Sequence, residues 1–358
     1  MGFLSRKFLV EWTMDFMKKQ FKWIVISTLF LLSPLYLSAS DSIFSFVPHL
    51  EGTVRARYEY FNYLNENRFQ VRNARLCVKG NLTPITSYKT EVDFSDAGSI
   101  KMLDAYIRVQ PQKSWNLTFG QQKVPFSTDN IRTPYELYFA SRSFIGNQLT
   151  NLHDVGISAN YVDKNKFPVS LILGVYNGMG IYIQNKTISF NKLSYDARLI
   201  VFPEKAFQIS LNANTICPGD IRMNYYDAGL KYDTGNLHFE SEYFFKTYSQ
   251  NILLDQKFSS GFFAFIAYDI RTPMSKTLTK ITPVLRVDGM SDNLKYNIVS
   301  SSIMNYAVDA ARNRITGGIT LSLSKPFIND IRLNYEQYFG HNDTDLQSKF
   351  VAEYVVHF

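Results

Sequence analysis

The chain has 358 residues, of which 46% are hydrophobic and 15% aromatic. Its mean hydropathy is nevertheless −0.15, so the apolar residues are dispersed among polar ones. The formal net charge is +7 and falls to +4 without residues 1–40, because that segment carries five basic and two acidic residues. A surplus this mild argues against a nucleic-acid-binding surface.

The N-terminal segment holds the one long apolar run, residues 23–37. Lys18, Lys19 and Lys22 precede it, and the small residues 38–40 follow it. A basic region, a short apolar region and a small-residue cleavage site are typical of a secretory signal peptide. A membrane helix needs about 20 apolar residues. The sequence therefore predicts a signal peptide over residues 1–40 and an exported domain over residues 41–358.

The exported part alternates apolar and polar residues, beginning at residues 53–60. Val54 and Ala56 share one face there, and Arg55 and Arg57 share the other. The alternation recurs and predicts about sixteen strands of roughly ten residues, the length of a tilted membrane-spanning strand. A change of phase near Arg72 and Asn73 predicts a β-bulge. The predicted strands span residues 53–60, 68–80, 88–94, 102–109, 115–123, 154–161, 169–176, 195–201, 207–213, 226–232, 237–245, 262–269, 281–288, 314–323, 332–339 and 349–358.

The connections between these strands alternate in length. The short ones span residues 81–86, 111–114, 163–166, 203–206 and 233–236, and the long ones span residues 124–152, 177–193, 247–258 and 289–313. Short periplasmic turns alternating with long external loops are typical of outer-membrane barrels. A soluble β-sandwich is disfavoured because charges recur on the polar faces and aromatic residues cluster near strand ends. The predicted fold is all-β, a transmembrane antiparallel β-barrel of about 16 strands.

Particular motifs carry a family resemblance. Residues 119–126 read Phe-Gly-Gln-Gln-Lys-Val-Pro-Phe, and related matches occur at residues 103–107, 154–156, 174–178 and 196–199. Residues 50–358 resemble the phosphate-selective porin O/P family of outer-membrane barrels. The resemblance implies a passive channel that favours anions such as phosphate, a homotrimer, and an inward fold of the long loop 124–152 that narrows the pore. The end of the chain, residues 354–358, resembles the tag read by the barrel-assembly machinery.

Cations on the polar faces are the candidate site residues. Twelve of them are predicted to point into the lumen: Arg55, Arg57, Arg75, Lys79, Lys89, Arg108, Arg198, Lys231, Lys246, Arg286, Arg314 and Arg332. A fixed positive field in a narrow pore favours anions, and arginine offers a planar fork for phosphate oxygens. We expect the pore-lining, anion-binding residues to be Arg55, Arg57, Arg75, Lys123, Arg132 and Arg142. Tyr135, Tyr138 and Phe139 are expected to pack the long loop against the wall.

Other functions remain open at this stage. Inward carboxylates nearly balance the cations, and cross-strand pairing would neutralise most of both. That balance favours a general non-selective or sugar-permeable porin as the alternative. A non-conducting structural or adhesive barrel and a barrel enzyme are further alternatives.

The sequence predicts no catalytic residue and no cofactor. The five histidines lack metal-ligand spacing, so no metal site is predicted. Cys77 and Cys217 are interpreted as separate thiols, with a disulfide left open. The expected partners are outer-membrane lipid, small anions or other small solutes, the barrel-assembly machinery and two further copies of the chain.

Overall fold

The computed structural model describes residues 47–96, 98–149, 153–163, 168–178, 180–181, 193–204, 206–217, 222–249, 257–300, 303–323, 326–340 and 347–358. The predicted signal peptide and most of the predicted loop 177–193 lie outside these ranges. No helix in the described ranges is long and apolar enough to cross a bilayer.

Strands dominate the described residues. In chain order they are β1 (His49–Phe61), β2 (Glu66–Thr83), β3 (Thr86–Asp96), β4 (Ser99–Gln112), β5 (Trp115–Lys123), β6 (His153–Asp163), β7 (Val169–Tyr176), β8 (Ser194–Glu204), β9 (Phe207–Ile216), β10 (Met223–Asp233), β11 (Leu237–Tyr248), β12 (Phe258–Tyr268), β13 (Ile270–Arg271), β14 (Leu278–Met290), β15 (Asn293–Ser300), β16 (Ile303–Asp309), β17 (Arg312–Leu323), β18 (Ile328–Gly340) and β19 (Lys349–His357).

One antiparallel sheet contains all of these strands except β15 and β16. The sheet closes on itself because β1 pairs with both β2 and β19. The short β13 follows β12 along the same wall position, since both pair with β14. The result is the predicted closed barrel of sixteen wall strands. Closure removes the unpaired sheet edges that would otherwise be exposed.

The two faces of the wall differ as the alternation predicts. In β1, Arg55, Arg57 and Glu59 are buried, whereas Val54 is 44% exposed. Aromatic side chains cover the outside at both ends of the barrel: Trp115, Tyr161, Tyr232 and Tyr268 near the short turns, and Tyr195, Tyr226, Tyr243 and Phe262 near the long loops. Such aromatic girdles flank the apolar band of an outer-membrane barrel.

The predicted bulge is confirmed at Arg72. Arg55 pairs with Asn73 and the next residue, Ala56, pairs with Val71, so Arg72 is the extra residue of β2. A bulge changes which way the neighbouring side chains point. Arg72 and Asn73 consequently both reach the inside of the barrel, although they are adjacent in sequence.

The connection 289–313 and the two cysteines can also be compared with the sequence predictions. The predicted long connection 289–313 is not a plain loop, because it contains the hairpin of β15 and β16. This ribbon lies outside the main sheet, and length alone could not distinguish it from an irregular loop. Cys77 and Cys217 are both buried thiols that are not joined in a disulfide, which agrees with the interpretation of separate thiols.

Candidate functional site: the inner loop and a basic cavity

Residues 124–149, called the inner loop below, follow β5 directly. Pro125 cannot donate to a sheet, which ends the strand. The loop then forms a single helical turn, α1 (Thr128–Ile131), a 3₁₀ turn (Pro134–Glu136) and a π-helical turn (Ile145–Leu149). Ser127 caps α1 by accepting a hydrogen bond from Asn130 N at 3.2 Å, as an N-cap serine commonly does.

The start of the inner loop is bound to β8 and β11. Glu242 accepts hydrogen bonds from Ser127 Oγ at 3.0 Å and from Thr128 N at 2.6 Å. Arg198 Nη2 donates to Thr128 Oγ1 at 3.1 Å. These wall groups therefore hold α1 in place, largely through its backbone and short hydroxyl side chains.

The second half of the inner loop is bound to a different part of the wall, formed by β14, β17, β18 and β1. Here the wall arginines donate to loop carbonyls, so most of the contacts do not depend on the loop side chains. The bonds are Arg332 to Pro134 O (3.1 Å) and Tyr135 O (2.9 Å), Arg55 to Ala140 O (2.7 Å), Arg286 to Ser141 O (2.9 Å) and Arg314 to Arg142 O (2.7 Å). One loop thus touches strands on separate sides of a closed barrel, which requires it to run through the lumen.

Aromatic contacts support this path. Tyr138 and Phe139 lie with ring centroids 5.0 and 5.6 Å from Phe265, and Tyr135 stacks on His357 at 3.7 Å. The expectation that these three loop residues pack against the wall is confirmed. Sequence reasoning missed Phe265, the partner of Tyr138 and Phe139. The sequence of β12 does not alternate clearly, and the inward face of this strand was expected to be polar.

A basic cavity of about 390 Å³ lies beside the inner loop, against the lumen-facing side of β2, β4, β5 and β6. Six cations line it together with one carboxylate, Asp96: Arg55, Arg72, Arg75, Lys101, Lys123 and Arg142. Asn73, Asn147 and His153 add neutral hydrogen-bonding groups to the lining. An anion entering this cavity would meet donors on most sides.

The cations of the basic cavity differ in how far they are neutralised. Arg75 binds Asp93 at 3.0 Å and Glu91 at 3.1 Å. Asp96 binds Lys101 at 2.5 Å and also pairs with Arg72. Lys123 instead donates to Asn130 O at 2.8 Å.

Arg142 donates to two loop carbonyls, Asp129 O and Arg132 O. Among the described residues, neither Lys123 nor Arg142 forms an ion pair with a carboxylate.

Arg142 lies in a positive environment. Burial, together with the charges of Arg75, Arg132 and Arg72, lowers the pKa of its guanidinium to about 10 against the opposing effect of Asp129. The side chain remains charged at neutral pH. A bound anion would stabilise that charge, which is the electrostatic condition for attracting one.

Asp129 is a buried acidic residue of the inner loop. Its Oδ2 accepts hydrogen bonds from Ser143 N at 2.9 Å and Ser143 Oγ at 2.7 Å. Burial raises the pKa of its carboxyl, but Arg142, Arg132 and the Ser143 bond outweigh burial and hold that pKa below its ordinary value. Asp129 therefore joins the two halves of the loop as a carboxylate.

The structure brings four of the six predicted site residues together. Arg55, Arg75, Lys123 and Arg142 line the basic cavity, whereas Arg57 and Arg132 do not. Arg57 is held by Glu353 at 2.8 Å. Arg132 pairs with Glu240 of β11, away from the cavity. Sequence reasoning missed Lys101, His153 and Arg72 as lining residues, although the predicted bulge was a signal for Arg72.

Most of the inward wall cations are paired, as the alternative interpretation expected. Nine of the twelve form ion pairs with described carboxylates: Arg55, Arg57, Arg75, Lys79, Lys89, Lys231, Arg286, Arg314 and Arg332. The other three bind neutral groups, with Arg108 on Thr118, Arg198 on Asn212 and Lys246 on Asn293. Charge on the wall therefore serves structure first, and within the basic cavity Lys123 and Arg142 are the described cations that differ, since they donate to carbonyls.

Comparisons with known proteins agree with this architecture. Residues 52–186 match the family model described as phosphate-selective porin O and P. No curated protein matches the chain significantly in sequence. The predicted resemblance is confirmed over the matched residues.

Three solved structures share the fold at low sequence identity. An anion-selective porin from Comamonas acidovorans is 10% identical, with 87% of this chain and 98% of that chain covered and a TM-score of 0.59. The outer-membrane channel DcaP of Acinetobacter baumannii is 14% identical over 87% and 97%, with a TM-score of 0.57. OmpT of Vibrio cholerae, in a trimer form, is 9% identical over 87% and 98%, with a TM-score of 0.52. The fold is that of an outer-membrane porin, and its location is the outer membrane.

Proposed function

We propose that this barrel is a passive porin whose narrowest part favours small anions, phosphate among them. The basic cavity carries the proposal: solute passes between the inner loop and the wall of β2 to β6, because the opposite side is filled by the loop and its anchors. The porin fold and the family match over residues 52–186 point to a channel rather than an enzyme.

Lys123 and Arg142 are the proposed anion-binding residues, with Arg75 and Arg55 beside them. The first two donate to backbone carbonyls, and no described carboxylate pairs with either of them, so a passing anion does not compete with a fixed carboxylate for these donors. Arg55 and Arg75 are partly neutralised and contribute mainly donors. A fixed positive field in a narrow aqueous passage lowers the barrier for an anion and raises it for a cation.

A general porin with weak selectivity is the second candidate. The paired wall charges favour it, and so does Asp96, which carries negative charge into the basic cavity. The two candidates share one fold and differ only in ion preference.

Three further elements belong to the proposal. Residues 1–40 act as the export signal, residues 41–358 form the mature domain, and three copies assemble in the membrane, as the trimer form of OmpT does. Outer-membrane lipid, the barrel-assembly machinery and small solutes are its partners.

The test is single-channel recording of the refolded mature protein in planar bilayers, with the reversal potential measured across a salt gradient. We expect anion-selective steps that added phosphate blocks. Lys123→Gln should lower the anion-to-cation permeability ratio by about twofold, since an ammonium donor without a described carboxylate partner leaves the constriction.

Lys231→Gln is the matched control. Lys231 is also an inward lysine, but it lies 3.7 Å from Glu240 and does not line the basic cavity. Equal shifts for both variants would refute the assigned passage. Weak ion selectivity of the wild type would support the general porin instead. Absence of conductance steps from folded protein would refute the channel function.

A further inference from the structure

Glu353 of β19 lies where the barrel closes. Its side chain is fully buried, and it stands in register between Arg57 of β1 and Arg332 of β18. Its oxygens accept from Arg55 at 2.8 Å, Arg57 at 2.8 Å and Arg332 at 3.1 Å. One carboxylate therefore orients three guanidinium groups.

Each of these three arginines also holds the inner loop. Arg55 and Arg57 both donate to Ala140 O, and Arg332 donates to the carbonyls of Pro134 and Tyr135. Two separate points of the loop, 134–135 and 140, thus depend on a single carboxylate that has no bond to the loop itself in the described contacts. Arginine is suited to this position because its fork bonds two acceptors at once.

We propose that Glu353 is a positioning residue that sets the width of the passage by holding the inner loop through Arg55, Arg57 and Arg332. The inference rests on the proposed channel function and deepens it. Without the negative charge, the three arginines repel one another and leave the geometry in which they reach the loop carbonyls. The loop then moves about its remaining contacts, and Pro134, which lines the basic cavity, moves with it.

Glu59 supplies the matched control. It is 1% exposed and lies on the neighbouring strand β1, where it is 3.6 Å from Arg57, a weaker contact than the 2.8 Å between Arg57 and Glu353. Its closer partners are Lys349 at 2.6 Å and Arg68 at 2.5 Å. Neither of these two cations is bonded to the inner loop in the described contacts. Glu59→Gln therefore changes the lumen charge as Glu353→Gln does, while leaving the loop anchors largely intact.

The experiment records single channels of the wild type, Glu353→Gln and Glu59→Gln in the same salt. For Glu353→Gln we expect transitions between several conductance levels to become at least about tenfold more frequent, since hydrogen bonds to charged groups are lost. Glu59→Gln should resemble the wild type. Equal behaviour of the two variants would overturn the proposal. Absence of steps in the wild type would refute the channel function instead.

A second variant covers the case in which Glu353→Gln does not fold. Arg332→Lys keeps the charge beside Glu353 but loses the planar fork that reaches both Pro134 O and Tyr135 O. We expect the same transitions at a lower frequency. Wild-type behaviour of a folded Arg332→Lys would contradict the role of this anchor.

A tether distinguishes position from charge. Ala140 N donates to Asn334 Oδ1 at 2.7 Å, so these two residues are in contact and are the positions chosen for a cysteine pair across the loop-to-wall contact. The pair Ala140→Cys and Asn334→Cys is introduced into a Cys77→Ser, Cys217→Ser, Glu353→Gln background. Oxidation of the pair should restore a single steady conductance level, and reduction should bring back the transitions between several levels. If the cross-linked protein keeps the multiple levels, the positioning role is wrong.

Discussion

The two sides of the lumen use the same residue types for different purposes. On the packed side, from β8 to β19 and including β1, charged groups bind carboxylates and the backbone of the inner loop. On the open side, lined by β2 to β6, Arg75 and Lys89 are also paired with carboxylates. Lys123 of β5 and Arg142 of the inner loop differ, because they bind only carbonyls in the described contacts and face a cavity. The formal charge of a lumen residue therefore says little about selectivity until its partners are known.

Among the predicted changes, removal of the Arg314 side chain should destabilise the packed side most. Arg314 is buried and binds Asp288 at 2.7 Å and Glu336 at 3.1 Å. Arg314→Ala leaves two buried carboxylates without this partner, so we expect unfolding free energy to fall by about 3–5 kcal/mol. Urea unfolding in detergent or lipid, followed by tryptophan fluorescence, measures the loss.

Arg68→Ala is the comparison variant for this prediction. The Arg68 side chain is 55% exposed, and its partner Glu59 keeps Lys349. The expected loss is at most about 1 kcal/mol, as for exposed ion pairs in general. Equal losses for Arg314→Ala and Arg68→Ala would show that the packed side is not held by its buried charges.

The contrast between the two sides is sharpened by a pair of arginines on the inner loop. Arg142 lines the basic cavity, whereas Arg132 pairs with Glu240. The three positive neighbours of Arg142 do not compensate its charge, so Arg142→Gln should lower the anion-to-cation permeability ratio by about twofold. Arg132→Gln should change that ratio much less.

Reversal potentials in a salt gradient measure both arginine variants. Circular dichroism and heat-modifiable migration on gels control for folding. A larger effect of Arg132→Gln than of Arg142→Gln would place the solute path on the other side of the loop.

Local patterns explain why the fold was predictable. Alternation in β1 identifies both a strand and its inward face, because successive side chains point to opposite sides. The phase change at Arg72 even locates a bulge, since one inserted residue shifts the alternation. Strand, face and connection length are properties of neighbouring residues, so they are readable from the sequence.

The candidate site was only partly predictable, for a physical reason. Lys123 and Arg132 are both cations of the same segment, and nothing local separates them. Arg132 is neutralised by Glu240, which is 108 residues away in sequence, and its role follows from that contact. The inward Phe265 was missed similarly, because its ring packs on Phe139 of the inner loop, a contact that the local sequence of β12 does not indicate. Pairings between distant residues depend on the path of the loop, which alternation does not describe.

The smallest predicted effect is the loosening of the inner loop around Asp129 at low pH. The pKa of Asp129 is held below its unfolded value, so its contribution to stability is fully present above the unfolded pKa, about 3.9. That contribution is lost as pH falls through the folded pKa. Protonation would weaken the bonds to Ser143, and amide hydrogen exchange at residues 127–144 should accelerate below about pH 4 relative to the barrel strands.

Asp129→Asn separates this effect from the titration of other carboxylates. The amide keeps an oxygen for Ser143 but carries no charge, so the variant should show faster exchange at neutral pH and a flatter pH dependence between pH 5 and 3 than the wild type, values chosen to bracket the ordinary aspartate pKa of about 3.9. A wild-type pH profile in Asp129→Asn would mean that a different acid controls the loop. In that case Glu242, which accepts from Ser127 and Thr128, is the next residue to replace, because it anchors the start of the same loop.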